Sequence, residues 1–150
     1  MIQRKQTVFL LLALVATVVC LCLPLGHFVP NGMGGDAVMY NLWIANDGVR
    51  SFDVAPLFAI LLVSCPINIA AILTYKNRPL QSRLCLVNIF LMIVWGILCG
   101  VFSRNDLDMD ASFHVSFATA LPFVAMVLYF MAKKGIDADE RLVRAADRIR

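Results

Sequence analysis

Charge is scarce along most of this chain. Four stretches, Thr7–Leu25, Val54–Tyr75, Leu84–Phe102 and Ala111–Ala132, contain no Asp, Glu, Lys or Arg. Only 15% of the 150 residues are charged and 61% are hydrophobic, against about 25% and 45–50% in soluble domains. That balance argues against a water-soluble fold. The missing intramembrane carboxylate also argues against a proton-coupled exporter, since ionisable groups inside membranes mark proton and ion paths.

Other absences narrow the chemistry. The five cysteines include no C-x-x-C; the nearest approach is Cys20 and Cys22, separated by one residue inside an apolar stretch. A thiol there is protonated and unreactive. The two histidines, His27 and His114, have no metal-ligand spacing. Asp106, Asp108 and Asp110 alternate, but without the glycine and closing glutamate of a calcium loop. No glycine-rich phosphate loop or nucleophile elbow is present. The expectation is a protein that is no enzyme and takes no cofactor or metal.

What is there is apolar length. The four uncharged stretches hold 19 to 22 residues each, matching a hydrocarbon core of about 30 Å at about 1.5 Å per residue. Backbone inside lipid must satisfy its own hydrogen bonds, so helices are expected. The first stretch ends LCLPLGHF without a small-residue cleavage pattern, so it is read as a retained span rather than a signal peptide. The fold expected is an all-α four-helix transmembrane bundle forming one domain over residues 1–150, with spans near 7–25, 54–75, 84–102 and 111–132.

Basic residues set its direction. Arg4, Lys5, Lys76, Arg78, Arg83, Lys133, Lys134, Arg141, Arg144, Arg148 and Arg150 fall on one side. The other side has Arg50 and Arg104, with Asp36, Asp47, Asp53, Asp106, Asp108 and Asp110. Both termini are therefore expected in the cytoplasm.

Helix association in lipid depends on small residues and interhelical hydrogen bonds. Gly96 and Gly100 form a GxxxG face on the third span, read as a helix-packing surface. Asn68 and Asn88 lie at similar depth, are expected to face inward, and are placed to bond each other. Trp95 should aim its indole N–H near Ser64, because a buried indole seeks an acceptor. Pro66 and Pro122 are expected to kink their helices.

Residues 26–53 form the loop expected outside the cytoplasm. Val38, Tyr40, Leu42 and Ile44 alternate with Met39, Asn41 and Trp43, which suits a strand. Asn46-Asp47-Gly48 signals a turn leading into a return strand over 49–54. This hairpin should rest on the bundle or at the lipid headgroups, with Tyr40 and Trp43 as anchors.

The tail, 133–150, is expected to be a separate amphipathic helix. Gly135 should interrupt the fourth span, and Asp137 with Glu140 resembles a capping box. Asp137–Arg141 and Glu140–Arg144 have favourable i,i+4 order. Ala138, Leu142, Ala145, Ala146 and Ile149 share a stripe beside an Arg141, Arg144, Arg148 ridge. Such a helix suits the inner headgroups, the bundle's own inner face, or a cytoplasmic protein.

The stretches MIQRKQT, YKNRPLQSRLCLVNI and DERLVRAADRIR together resemble an uncharacterised family of small bacterial (bacteroidete) four-span membrane proteins. The resemblance runs from end to end. It implies location and topology, and carries over no activity, substrate or catalytic residue. Some members bear a label borrowed from the Rho terminator, which this sequence does not support because it lacks a nucleotide-binding loop.

The leading functional expectation is a non-enzymatic scaffold or accessory subunit that contacts membrane lipids or a membrane or cytoplasmic protein, and no nucleic acid. Arg141, Leu142, Arg144, Arg148 and Ile149 are its contact residues. Two alternatives stand beside it. One is a thiol-redox membrane enzyme using Cys20, Cys22 and Cys99; the other is a small-solute carrier or pore subunit lined around Ser64, Asn68 or Thr119.

Overall fold

A computed structural model describes residues 2–30, 36–46, 48–75, 77–105 and 111–147. The chain is mostly helical: α1 is Ile2–Cys22, α2 Ala55–Leu73, α3 Arg78–Asn105 and α4 Leu121–Asp147, the last preceded by a 3-10 turn at Phe117–Ala120. Five short strands add an antiparallel sheet, which corrects the all-α expectation. They are β1 Gly26–Pro30, β2 Ala37–Met39, β3 Ile44–Asn46, β4 Val49–Ser51 and β5 Ala111–Val115, in the order β4-β3-β2-β1-β5.

Each helix meets its sequence neighbour, and α1 closes on α4, so the four make a ring. The buried positions explain the packing. They include a stripe of Gln6, Leu10, Ala13, Thr17 and Cys20 on α1, and of Leu57, Leu61, Ser64, Asn68 and Ala71 on α2. On α3 the stripe is Gln81, Cys85, Asn88, Met92, Trp95 and Cys99; on α4, Ala125, Tyr129, Ala132, Ile136 and Asp139; Ala16, Ser82 and Pro122 are buried beside these stripes. All four stripes alternate steps of three and four, the seam spacing of under-wound, left-handed helix packing.

Polarity is inverted relative to a soluble protein. The inward stripes collect Gln, Asn, Ser, Thr, Tyr and Asp, while Leu11, Val15, Leu62, Phe90, Ile97, Val127 and Phe130 point outward. Exposed apolar surface on this scale demands a non-aqueous neighbour. Ala55–Leu73, Arg78–Arg104 and Phe117–Ala145 are each long and apolar enough to cross a membrane; the described apolar part of α1, Gln6–Cys22, is shorter.

The boundaries depart from the uncharged stretches for local reasons. α1 stops at Cys22, because Pro24 disfavours helical backbone at Leu23. α3 begins six residues early, at Arg78; Pro79 beside that start has no amide to leave unpaired. Residues 111–115, assigned in sequence to the fourth span, are strand β5. Pro122 therefore sits in the first turn of α4, where its missing N–H costs no intrahelical hydrogen bond. It starts the helix instead of kinking it.

The tail is not a separate helix. α4 runs unbroken through Gly135 to Asp147, so the capping box at Asp137 does not form. Gly135 faces Gln6, and an added Cβ would approach the Gln6 Cγ to 3.2 Å. The glycine trades about 1 kcal/mol of helix propensity for that close crossing of α1 and α4.

In the loop, the expected 38–44 strand is broken. β2 ends at Met39, the chain turns with Tyr40 N–H donating to Trp43 C=O at 2.9 Å, and β3 starts at Ile44. The β3–β4 hairpin does form, with Asn46 paired to Val49 and Gly48 at φ +83°, a backbone region open to glycine; Asp47 lies outside the described residues. β1 and β5 pair over five positions, from Gly26 opposite Val115 to Pro30 opposite Ala111. At Gly26 a Cβ would lie 2.4 Å from the Phe113 ring and 2.7 Å from the His114 carbonyl oxygen, so only glycine permits that approach.

Candidate functional site

Polar side chains fill the centre of the helix ring at three levels. At the sheet end, Asn41 is buried and reaches three helices. Its Nδ2 donates to the Cys20 carbonyl at 2.7 Å, its Oδ1 accepts from Trp95 Nε1 at 3.1 Å, and its own carbonyl accepts from Phe58 N–H at 3.2 Å. The Cys20 carbonyl lies in the last turn of α1 and the Phe58 amide in the first turn of α2. Both are groups that a helix end leaves without intrahelical partners. Asn41 thus completes two helix termini and one indole. Trp95, expected to meet Ser64, takes this acceptor instead because the loop enters the ring.

One level down lies a cluster drawn from all four helices. Asn68 Nδ2 donates to the Leu10 carbonyl at 3.1 Å and to the Tyr129 hydroxyl at 2.9 Å, and Ser64 Oγ donates to Asn88 Oδ1 at 3.0 Å. Thr17, on the same buried stripe as Leu10, returns its hydroxyl to the Ala13 carbonyl at 2.8 Å. Asn68 and Asn88 do face inward, but they do not bond to each other: Asn68 Oδ1 and Asn88 Nδ2 are each buried without a partner. Tyr129 and the Leu10 carbonyl captured the amide that the sequence assigned to Asn88. A single sequence gives no register between α2 and α4, so Tyr129 could not be seen as the partner.

At the tail end, α4 is bolted to its neighbours. Gln6 Nε2 donates to Asp139 Oδ2 at 2.9 Å, and Arg78 Nη1 to the Asp139 carbonyl at 3.2 Å. Asp137 accepts from Ser82 Oγ at 2.5 Å and from Lys133 Nζ at 2.6 Å. The pair anticipated between Asp137 and Arg141 is replaced by this contact one turn earlier, while Glu140 accepts from Arg144 as anticipated. Beyond this collar the helix presents Arg141, Leu142, Val143, Arg144 and Ala145 outward, with Leu142 64% exposed. Arg148 and Ile149 lie outside the described residues.

The glycine pair behaves asymmetrically. An added Cβ on Gly96 would touch the Phe123 ring at 3.4 Å, an ordinary packing distance, whereas one on Gly100 would meet nothing within 4 Å. Gly100 therefore lies in a groove of about 450 Å³ walled by Trp95, Phe113, Thr119 and Phe123, with Arg104 at its lip. The five cysteines are all free; Cys20, Cys85 and Cys99 are buried and Cys22 is exposed. Among the described residues, no cluster of three or more His, Cys, Asp or Glu is assembled.

Inward polar seams, outward apolar faces and three helices of membrane-crossing length define a helical protein of the membrane-compatible class, capped by a small sheet. The chain belongs to the family described as Domain of unknown function (DUF4293), whose match runs over residues 2–149. None of the curated proteins matches the chain.

Proposed function

We propose that this protein is a four-span bundle of the bacterial inner membrane, with both termini cytoplasmic, and that it acts as a non-enzymatic scaffold or accessory subunit. The observation that carries the reading is the end of α4. Three interhelical contacts, from Gln6 on α1 and from Arg78 and Ser82 on α3, hold Asp137 and Asp139, so the helix beyond them is fixed rather than trailing. On that fixed segment Leu142 and Val143 stay exposed beside Arg141 and Arg144. An apolar and cationic face held rigidly in place binds with little ordering cost. Its continuity with α4 favours a cytoplasmic protein partner over a helix lying flat among the headgroups.

Co-purification in mild detergent tests this. A stable partner should be recovered with the intact chain and lost when Leu142→Glu and Val143→Glu are introduced together. Recovery of a lone monomer from cells grown under several conditions would overturn the scaffold reading.

The thiol-redox reading rests on Cys20, which Asn41 Nδ2 approaches at 3.8 Å from Sγ, together with Cys99 and Cys22. Alkylation with and without reductant separates it: a change of state at these thiols favours redox chemistry, and thiols that never change remove it.

A further inference from the structure

We propose that His27 and His114 form a binding site for a divalent late-transition-metal ion, of the Zn²⁺ or Cu²⁺ kind, on the outer face of the sheet. These are the only histidines in the chain. They lie in different loops, one following α1 and the other preceding the 3-10 turn before α4, yet the β1–β5 register sets them directly opposite each other. Residues opposite one another in adjacent antiparallel strands project from the same face, with Cβ atoms about 4.5–5.5 Å apart. Both side chains are exposed. Two imidazoles at that spacing can close on one ion at metal–nitrogen distances of about 2.0–2.1 Å, and imidazole suits Zn, Cu and Ni.

The register that creates the pair is locked from the other face. The next pair along the ladder, Phe28 opposite Phe113, stacks with ring centroids 4.7 Å apart. Ser116 N–H donates to the Leu25 carbonyl at 2.8 Å on one side of the pair, and Ser112 Oγ to the Val29 carbonyl at 3.3 Å on the other. A one-residue slip of either strand would turn that strand's phenylalanine outward, so the imidazoles are held as neighbours before any ion arrives. Among the described residues no third His, Cys, Asp or Glu joins them. Water or a donor from the metal's own ligand fills the remaining positions, which is the open coordination of an exchangeable site rather than a closed structural one. A bound ion ties the exit of α1 to the entry of α4 and stabilises the folded chain by mass action.

The test uses the full chain in detergent. Zn²⁺ titrated calorimetrically should bind one site, and substoichiometric Cu²⁺ should give an electron paramagnetic resonance spectrum with two nitrogen ligands. His27→Asn and His114→Asn should each weaken Zn²⁺ binding at least tenfold, and acid should weaken it too, because protons compete for imidazole. Cys22→Ser should leave it unchanged, and Zn²⁺ should slow hydrogen exchange in β1 and β5 of the natural chain alone. Equal Zn²⁺ affinity in the doubly substituted chain, a single nitrogen ligand, or no chain-dependent binding would each overturn the proposal.

Discussion

Trp95 donates its indole N–H to Asn41 Oδ1 at 3.1 Å, joining the middle of α3 to a loop residue 54 positions earlier. The same Asn41 side chain holds the last turn of α1 through the Cys20 carbonyl. The sheet is therefore fastened to the helices at a buried point and does not merely rest on them.

Asn41→Ala should strip partners from Trp95 Nε1 and the Cys20 carbonyl together. A buried polar group left unpaired costs about 1–3 kcal/mol, so Asn41→Ala should destabilise more than Trp95→Phe, which orphans only Asn41 Oδ1. Denaturant unfolding in micelles gives the order, and a red-shifted Trp emission in Asn41→Ala should accompany it. Equal stabilities for the two variants would contradict the geometry.

Tyr129→Phe should cost little. Asn68 Nδ2 keeps the Leu10 carbonyl when the hydroxyl is lost, and interhelical hydrogen bonds in membranes average about 0.6 kcal/mol. Asn68→Ala should cost more, since it also opens space in a fully buried site. A Tyr129→Phe loss above about 2 kcal/mol would mean that the hydroxyl carries more of the cluster than its bond to Asn68 supplies.

Gly26→Ala should disrupt the β1–β5 pairing. The new methyl would meet the Phe113 ring at 2.4 Å and the His114 carbonyl oxygen at 2.7 Å. The ring can swing, but the backbone oxygen cannot retreat without breaking the ladder; overpacking of this sort costs about 1–3 kcal/mol. Hydrogen exchange should speed up over 111–116 while α2 stays protected.

The two ends of the tail should respond differently. Asp139→Ala removes the buried partner of Gln6 and should loosen α1 from α4, visible as faster exchange at residues 6–10 and a loss of about 1–3 kcal/mol. Glu140→Gln removes an ion pair whose arginine side chain is 75% exposed, and should change stability by less than about 0.5 kcal/mol.

Topology can be checked by thiol labelling with the native cysteines replaced. In the proposed orientation, Asp36→Cys should react with an impermeant reagent from outside the cell and Ala145→Cys only after lysis. Reaction of Ala145→Cys in intact cells would invert the map.

Much of the helix placement was legible because charge-free length is a coarse signal that survives without tertiary knowledge. The buried faces of Asn68 and Asn88 were legible too, since an amide in an apolar run has few places to go. What stayed hidden were the partners, which depend on register between segments far apart. Asn41 read as one position of an alternating strand, and nothing local marks it as the residue that turns inward. Strand β5 was absorbed into the fourth span because Ala111–Val115 carries no charge, and hydropathy does not separate a short edge strand from the start of a helix. The continuity of α4 through Gly135 was missed for a related reason: the glycine's low propensity was visible, whereas its contact with Gln6 was not.

That continuity has a mechanical consequence. Between Leu121 and Asp147 the helix has no joint, and just before its start Thr119 grips the Leu25 carbonyl at 2.6 Å. A single uninterrupted rod and one hydroxyl thus connect Arg141 and Leu142 at one end of the molecule to Leu25, the residue before β1, at the other.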